Sequence, residues 1–140
     1  MKAKTTVTTG NQVKRNWILF DLSGKTLGRA ATEIAAILMG KNNPSFSYHR
    51  DDGDYVVAIN ATELVVTGKK LKQKIYYRHT GYAGNLKSLT LKELMQQDPR
   101  RVIKLAVYGM LPKNKLRDIR LTRLRVFTDS NHKYADKIGK

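Results

Sequence analysis

Three stretches of the chain combine cations, aromatics and glycines in a pattern suited to a phosphate backbone with unpaired bases. The first is Gly68-Lys69-Lys70-Leu71-Lys72-Gln73-Lys74. The second runs from Tyr76 to Lys87 and includes Tyr77, Arg78, His79, Thr80, Gly81, Tyr82 and Gly84. The third runs from Gly109 to Leu116 and includes Pro112, Lys113, Asn114 and Lys115. Lysine and arginine meet phosphates, tyrosine and histidine stack on bases, and glycine lets backbone approach RNA closely. Strand alternation puts one of Tyr76 and Tyr77 in the core and leaves the other for a partner. Lys25 and Arg29 flank the start of an expected helix, where one backbone phosphate can sit. Arg100 and Arg101 fall in the first turn of another, where the dipole disfavours cations by roughly a few tenths of a kcal/mol. A partner's phosphates would offset that cost, and so would plain exposure to solvent.

Other chemistries are present only in outline. Gly24-Lys25-Thr26 invites a phosphate-loop reading, but the earlier glycine of that motif is replaced by Leu19. Asp51-Asp52-Gly53-Asp54 has the acids of a calcium loop without its alternation or its distal glutamate, so it reads as a turn. His49, His79 and His132 are far apart and form no helical pair, so no metal site is expected. The same aspartates, with a magnesium ion, would make a nuclease centre, which is the enzymatic alternative. A third reading is an RNA-bound regulator away from any larger assembly.

The charge balance favours a polyanion. Lys and Arg number 27 against 11 acids, a net charge of +16. Self-repulsion of that size destabilises the compact state unless an anionic partner neutralises it. The surplus is localised: residues 64–125 carry sixteen Lys/Arg against Glu93, Asp98 and Asp118. With no cysteine, disulfides and thiolate-bound metals are ruled out. No apolar run approaches the ~18 residues of a membrane span, and the start lacks a signal-peptide pattern, so a soluble intracellular protein is expected.

The elements that must position these residues follow from the hydrophobic pattern. Trp17-Ile18-Leu19-Phe20 reads as a strand covered on both faces. Thr26 caps a helix over 27–39 with Leu27, Ala31, Ile34 and Leu38 on one stripe, and Gly40 ends it. Tyr55–Ile59 is a second buried strand, so strand, helix and strand make a right-handed parallel crossover. Leu64–Val66 and Ile75–Tyr77 are expected to pair as a hairpin with a basic tip. Thr90 and Glu93 form a capping box. Asp98-Pro99 opens a helix to about Met110, with Val102, Ile103, Ala106, Val107 and Met110 on a buried stripe. After the basic stretch around Arg120, Leu121–Phe127 alternates as a half-exposed strand bearing Arg123 and Arg125. One domain is expected over 1–140, with an N-terminal extension at 1–15 and a loosely held tail at 128–140.

A family resemblance rests on these same segments. Asp21, Gly24-Lys25-Thr26-Leu27-Gly28-Arg29, Gly53-Asp54-Tyr55-Val56-Val57, Val66-Thr67-Gly68-Lys69, the run Tyr76 to Tyr82, Arg101-Val102, and Gly109 to Asn114 stand in collinear order. In that order they resemble ribosomal protein family thirteen of the large subunit, from about Trp17 to Phe127. The resemblance implies an α/β fold: a three-layer domain with a mostly parallel four-stranded sheet and basic loop or hairpin extensions. It implies binding to large-subunit rRNA early in assembly, neighbouring large-subunit ribosomal proteins as partners, and no catalytic role. It carries RNA contact to Lys69, Arg78, His79, Thr80, Lys87, Lys113 and Lys115. The short N-terminal extension resembles the bacterial and organellar branch, so a cytoplasmic or organellar ribosome is the expected location. Departures are Asn85 for a second glycine, Arg117-Asp118 for Gly-Arg, Tyr48-His49 for Pro-His, and Lys133-Tyr134 for Pro-His. The full candidate RNA-binding set is Lys25, Arg29, Lys69, Lys70, Lys74, Tyr77, Arg78, His79, Thr80, Tyr82, Lys87, Arg101, Lys113, Asn114, Lys115, Arg120 and Arg123. No cofactor, metal, small-molecule substrate or membrane enters this reading.

Overall fold

Strand β1 (Trp17–Asp21), helix α1 (Leu27–Met39) and strand β2 (Tyr55–Ile59) form the parallel crossover that the apolar pattern predicts. The computed structural model describes residues 13–44 and 46–138, so most of the expected N-terminal extension lies outside the described residues. β1 and β2 pair in register from Trp17 opposite Tyr55 to Asp21 opposite Ile59. A short strand, β5 (Leu124–Val126), pairs parallel with the other edge of β2. Val56, Val57 and Ala58 of the central strand are fully buried, which is why β2 reads as an unbroken apolar run. β1 is an edge strand, and Leu19 is 43% exposed, so the expected double cover of that strand does not hold.

Among the described residues the sheet has three strands, in the order β1-β2-β5, and not the expected four. The remaining strands, β3 (Ile75–His79) and β4 (Leu86–Thr90), form a separate antiparallel pair. The reason is compositional: a strand inserted in a parallel sheet needs apolar side chains on both faces, and β3 and β4 carry Arg78, His79, Lys87 and Ser88. The expected pairing of Leu64–Val66 with β3 also fails. Val65 instead bridges Thr26 in parallel, and helix α2 (Lys70–Gln73) fills the basic connection.

Gly40 closes α1 in the left-handed conformation at φ 78°, its N–H reaching the carbonyls of Ala36 and Ile37. Helix α3 (Leu91–Gln97) begins at the capping box: Glu93 N donates to Thr90 Oγ1 (3.3 Å) and Thr90 N donates to Glu93 Oε2 (2.8 Å). Helix α4 (Pro99–Met110) starts at Asp98, whose carboxylate accepts Arg100 N at 3.2 Å. Its Ile103 and Val107 share one core with Ile34 and Leu38 of α1 and with the Val56 and Ala58 face of β2. Met110, expected on that buried stripe, is 49% exposed. A second, smaller core joins Leu91 and Leu94 of α3 to Val102, Leu27, Val66 and Tyr76, and this roots the β3–β4 hairpin.

On the other face of the sheet Trp17 stacks on Tyr55, with ring centroids 4.3 Å apart, and Tyr134 stacks on Trp17 at 4.9 Å. Lys137 sits over the Trp17 ring at 5.0 Å. Tyr134 and Lys137 of the segment expected as a tail thus lie against the Trp17 ring. The basic stretch before the last strand is also more ordered than its pattern shows. Residues expected to begin the strand belong to helix α5 (Leu116–Thr122), leaving three residues for β5.

Candidate nucleic-acid interface

The β3–β4 hairpin presents the second basic stretch. Alternation turns Tyr76 inward onto Leu91, Leu94 and Val102, while Tyr77 is 66% exposed. Arg78 stands directly opposite Lys87, and His79 opposite Leu86. Like charges facing each other across a pair are destabilising unless an anion lies between or over them. At the tip, Thr80 N donates to Asn85 O (3.3 Å), Asn85 N to Tyr82 O (3.1 Å), and Gly81 N to His79 Nδ1 (3.0 Å). These bonds leave the Tyr82 ring 77% exposed. The hairpin therefore offers exposed rings and cations on a closed turn.

The loop after α4 is held for the same kind of display. Arg117 donates to Tyr108 O at 2.9 and 2.6 Å, and its guanidinium lies over the Tyr108 ring at 3.6 Å. Asn114 Oδ1 accepts Leu116 N at 3.2 Å, so this candidate already serves the loop. Lys113 and Lys115 remain exposed. Arg117 was outside the candidate set: its role depends on a carbonyl in the preceding helix, which side-chain type alone does not reveal.

The other candidates lie away from these two elements. Lys25 is half-buried, paired with Glu33 at 3.1 Å and placed over Phe20 at 3.9 Å, so its charge is partly spent. Arg29, Lys70 and Lys74 stand together around an open groove of about 1170 Å³ between α1, α4 and residues 65–74. Lys69 is exposed at the start of α2. Arg101 lies with Arg100 and Lys104 around a smaller hollow of about 340 Å³.

Arg120 and Arg123 require a correction. They are 1% and 5% exposed, and both point at Asp51. Arg123 gives Nη1 and Nη2 to the two carboxylate oxygens of Asp51, and Nη2 also donates to Leu38 O at 3.2 Å, at the end of α1. Arg120 donates to Arg50 O at 2.7 Å. Arg15 joins from the N-terminal side, 3.4 Å from Asp51. Burial pushes the Asp51 carboxyl up, but the bonds from Arg123 and the charges of Arg123, Arg15 and Arg120 outweigh it and hold the group below its usual range. These arginines brace the fold and are withdrawn from the exposed surface.

The same bracing accounts for the acidic turn. Asp52 accepts from Arg50 at 2.9 Å, and Asp54 accepts Asn16 N at 2.9 Å. A Cβ on Gly53 would fall 1.8 Å from Leu38 O, so glycine is required where the turn crosses α1. Among the described residues, no three His, Asp or Glu side chains are grouped to hold a metal ion. No helix there is long and apolar enough to cross a membrane.

Comparison with known proteins places this geometry in a family. A sequence model described as ribosomal protein L13 matches residues 15–133. A protein of Clostridioides difficile (strain 630) named large ribosomal subunit protein uL13 is 54% identical over 123 residues, covering 88% of this chain and 86% of that one. The protein of that name from Thermotoga maritima is 51% identical over 129 residues, covering 92% and 87%. That from Xylella fastidiosa (strain 9a5c) is 52% identical over 132 residues, covering 94% and 93%. The family is one of ribosomal structural proteins and not of enzymes, and with the match spanning both the braced core and the basic hairpin, the chain belongs to the ribosomal protein L13 family.

Proposed function

We propose that this chain is a structural constituent of the large ribosomal subunit that binds and stabilises large-subunit rRNA, entering early in assembly. The carrying observation is the hairpin: it exposes Tyr77, Arg78, His79, Thr80, Tyr82 and Lys87 while its inner residue, Tyr76, fixes it to the second core. Lys69, Lys113 and Lys115 are further exposed cations, and Arg101 adds one at the start of α4. Contacts of this kind read phosphates and RNA shape more than base sequence. Neighbouring ribosomal proteins complete the partner set, and the working location is the ribosome, cytoplasmic or organellar.

Sedimentation of a lysate at moderate salt with magnesium tests the placement. Co-migration with large subunits is expected, and migration as a free small protein beside subunits lacking it would overturn the reading. Affinity of the purified chain for large-subunit rRNA should fall on the order of a thousandfold between about 50 and 200 mM salt if roughly 6–10 phosphates are engaged. Salt-insensitive binding would remove the phosphate-contact reading.

A further inference from the structure

The groove between α1 and α4 has chemistry different from that of the hairpin. Its aliphatic residues include Leu105, 38% exposed, Val65, 42% exposed, and Met110, 49% exposed. Its cations are Arg29, Lys70 and Lys74, and its one acid, Glu33, is already paired with Lys25. Among the described residues that line it, none is aromatic. Single-stranded RNA sites use aromatic or arginine planes on which bases stack; the groove offers Arg29, while the exposed rings of Tyr77 and Tyr82 are on the hairpin. The volume, about 1170 Å³ and open along one side, exceeds the ~300–1,000 Å³ typical of small-molecule sites.

Two glycines in helices line the same groove. Gly28 lies in the first turn of α1 and Gly109 in the last turn of α4. Inside a helix glycine costs about 1 kcal/mol relative to alanine. At neither position would an added Cβ come within 4 Å of the described residues beyond its own helix backbone and chain neighbours. The fold gives no steric reason for glycine there; close approach by a second molecule would.

We infer that this groove docks a polypeptide segment of another protein, one that presents aliphatic side chains to Val65, Leu105 and Met110 and carboxylates to Arg29, Lys70 and Lys74. Charge complementarity selects the acids, and the aliphatic lining selects the apolar side chains. On this assignment Arg29, Lys70 and Lys74 serve a protein contact, leaving RNA to the hairpin, Lys69, Arg101 and the 113–115 loop. The inference rests on the chain's place in an assembly with other proteins, not on any particular RNA contact.

Photo-crosslinking in assembled large subunits separates the two. A benzoylphenylalanine probe at Thr32, an exposed groove residue, should give a protease-sensitive adduct whose peptide carries acidic and aliphatic residues. The same probe at Tyr82 should give a nuclease-sensitive adduct. The double variant Val65→Lys with Met110→Lys should reduce the Thr32 adduct at least tenfold and leave the Tyr82 adduct unchanged. A nuclease-sensitive adduct at Thr32, a basic crosslinked peptide, no adduct at Thr32, or an adduct that survives the double variant would each overturn the inference. Loss of RNA at Tyr82 alone would count against the RNA surface and leave the groove standing.

Discussion

One guanidinium, that of Arg123, holds both carboxylate oxygens of Asp51 and the carbonyl of Leu38 at the end of α1. The contact ties the last strand region to the turn before β2 and to the helix between the two strands. A cation at a helix C-terminus also complements its dipole.

Replacing Arg123 by alanine should therefore cost about 3–5 kcal/mol, because removing one partner leaves a part-buried carboxylate without its fork. Urea denaturation should show a lower midpoint, with rRNA affinity retained wherever the variant is still folded. Arg123→Lys should rescue little, since an ammonium cannot make the paired bonds. A variant with an unchanged midpoint and weakened rRNA binding would put Arg123 back on the RNA surface.

Acid should loosen the same joint. The Asp51 carboxyl is held below its unfolded value, so its contribution is fully present above about pH 4 and is lost as pH falls through the lower folded value. Thermal melts taken downward from neutral pH should stay level and then drop below about pH 4. Asp51→Asn should be less stable at neutral pH and lose less on acidification. An identical acid limb in wild type and variant would assign that loss to other carboxylates.

Arg78→Glu combined with Lys113→Glu should weaken rRNA association and lower the slope of log affinity against log salt by about two, one for each phosphate contact. Both side chains are exposed, so stability should change by less than about 0.5 kcal/mol per site. A large stability loss with an unchanged salt slope would mean these residues support the hairpin and do not touch RNA.

Local signals made much of this fold legible. Helix α1, the Thr90–Glu93 box and the Asp98-Pro99 start lie within a few residues of the features that specify them. The errors involve longer separations. β3 takes as its partner β4, which follows it, rather than the more apolar Leu64–Val66, because Val65 is already bonded to residues at the start of α1. Arg120 and Arg123 read as surface cations because their anion, Asp51, stands about seventy residues earlier in the chain. Arg29, Lys70 and Lys74 read singly as candidate RNA contacts, but their common groove appears only when α4 is laid beside α1.

Trp17 is the chain's single tryptophan and reports on the tail. Tyr134→Ala should remove one stacked neighbour, shift Trp17 emission to the red and cost about 1 kcal/mol. Unchanged emission would mean that the tail does not rest on the sheet in solution.

The long reach of the Asp51–Arg123 contact also sets a timetable. The two residues are 72 positions apart, and synthesis at roughly 5–20 residues per second separates them by about 4–14 s. For most of that interval a nascent chain contains the residues of β1, α1 and β2 but neither the guanidinium that bonds to Leu38 O nor the third strand. The acidic turn must wait, solvated, for the cations that follow it. The N-terminal half cannot reach its final form by itself, and a chain truncated before Arg123 should remain open to proteolysis around residues 51–54, however complete its first crossover.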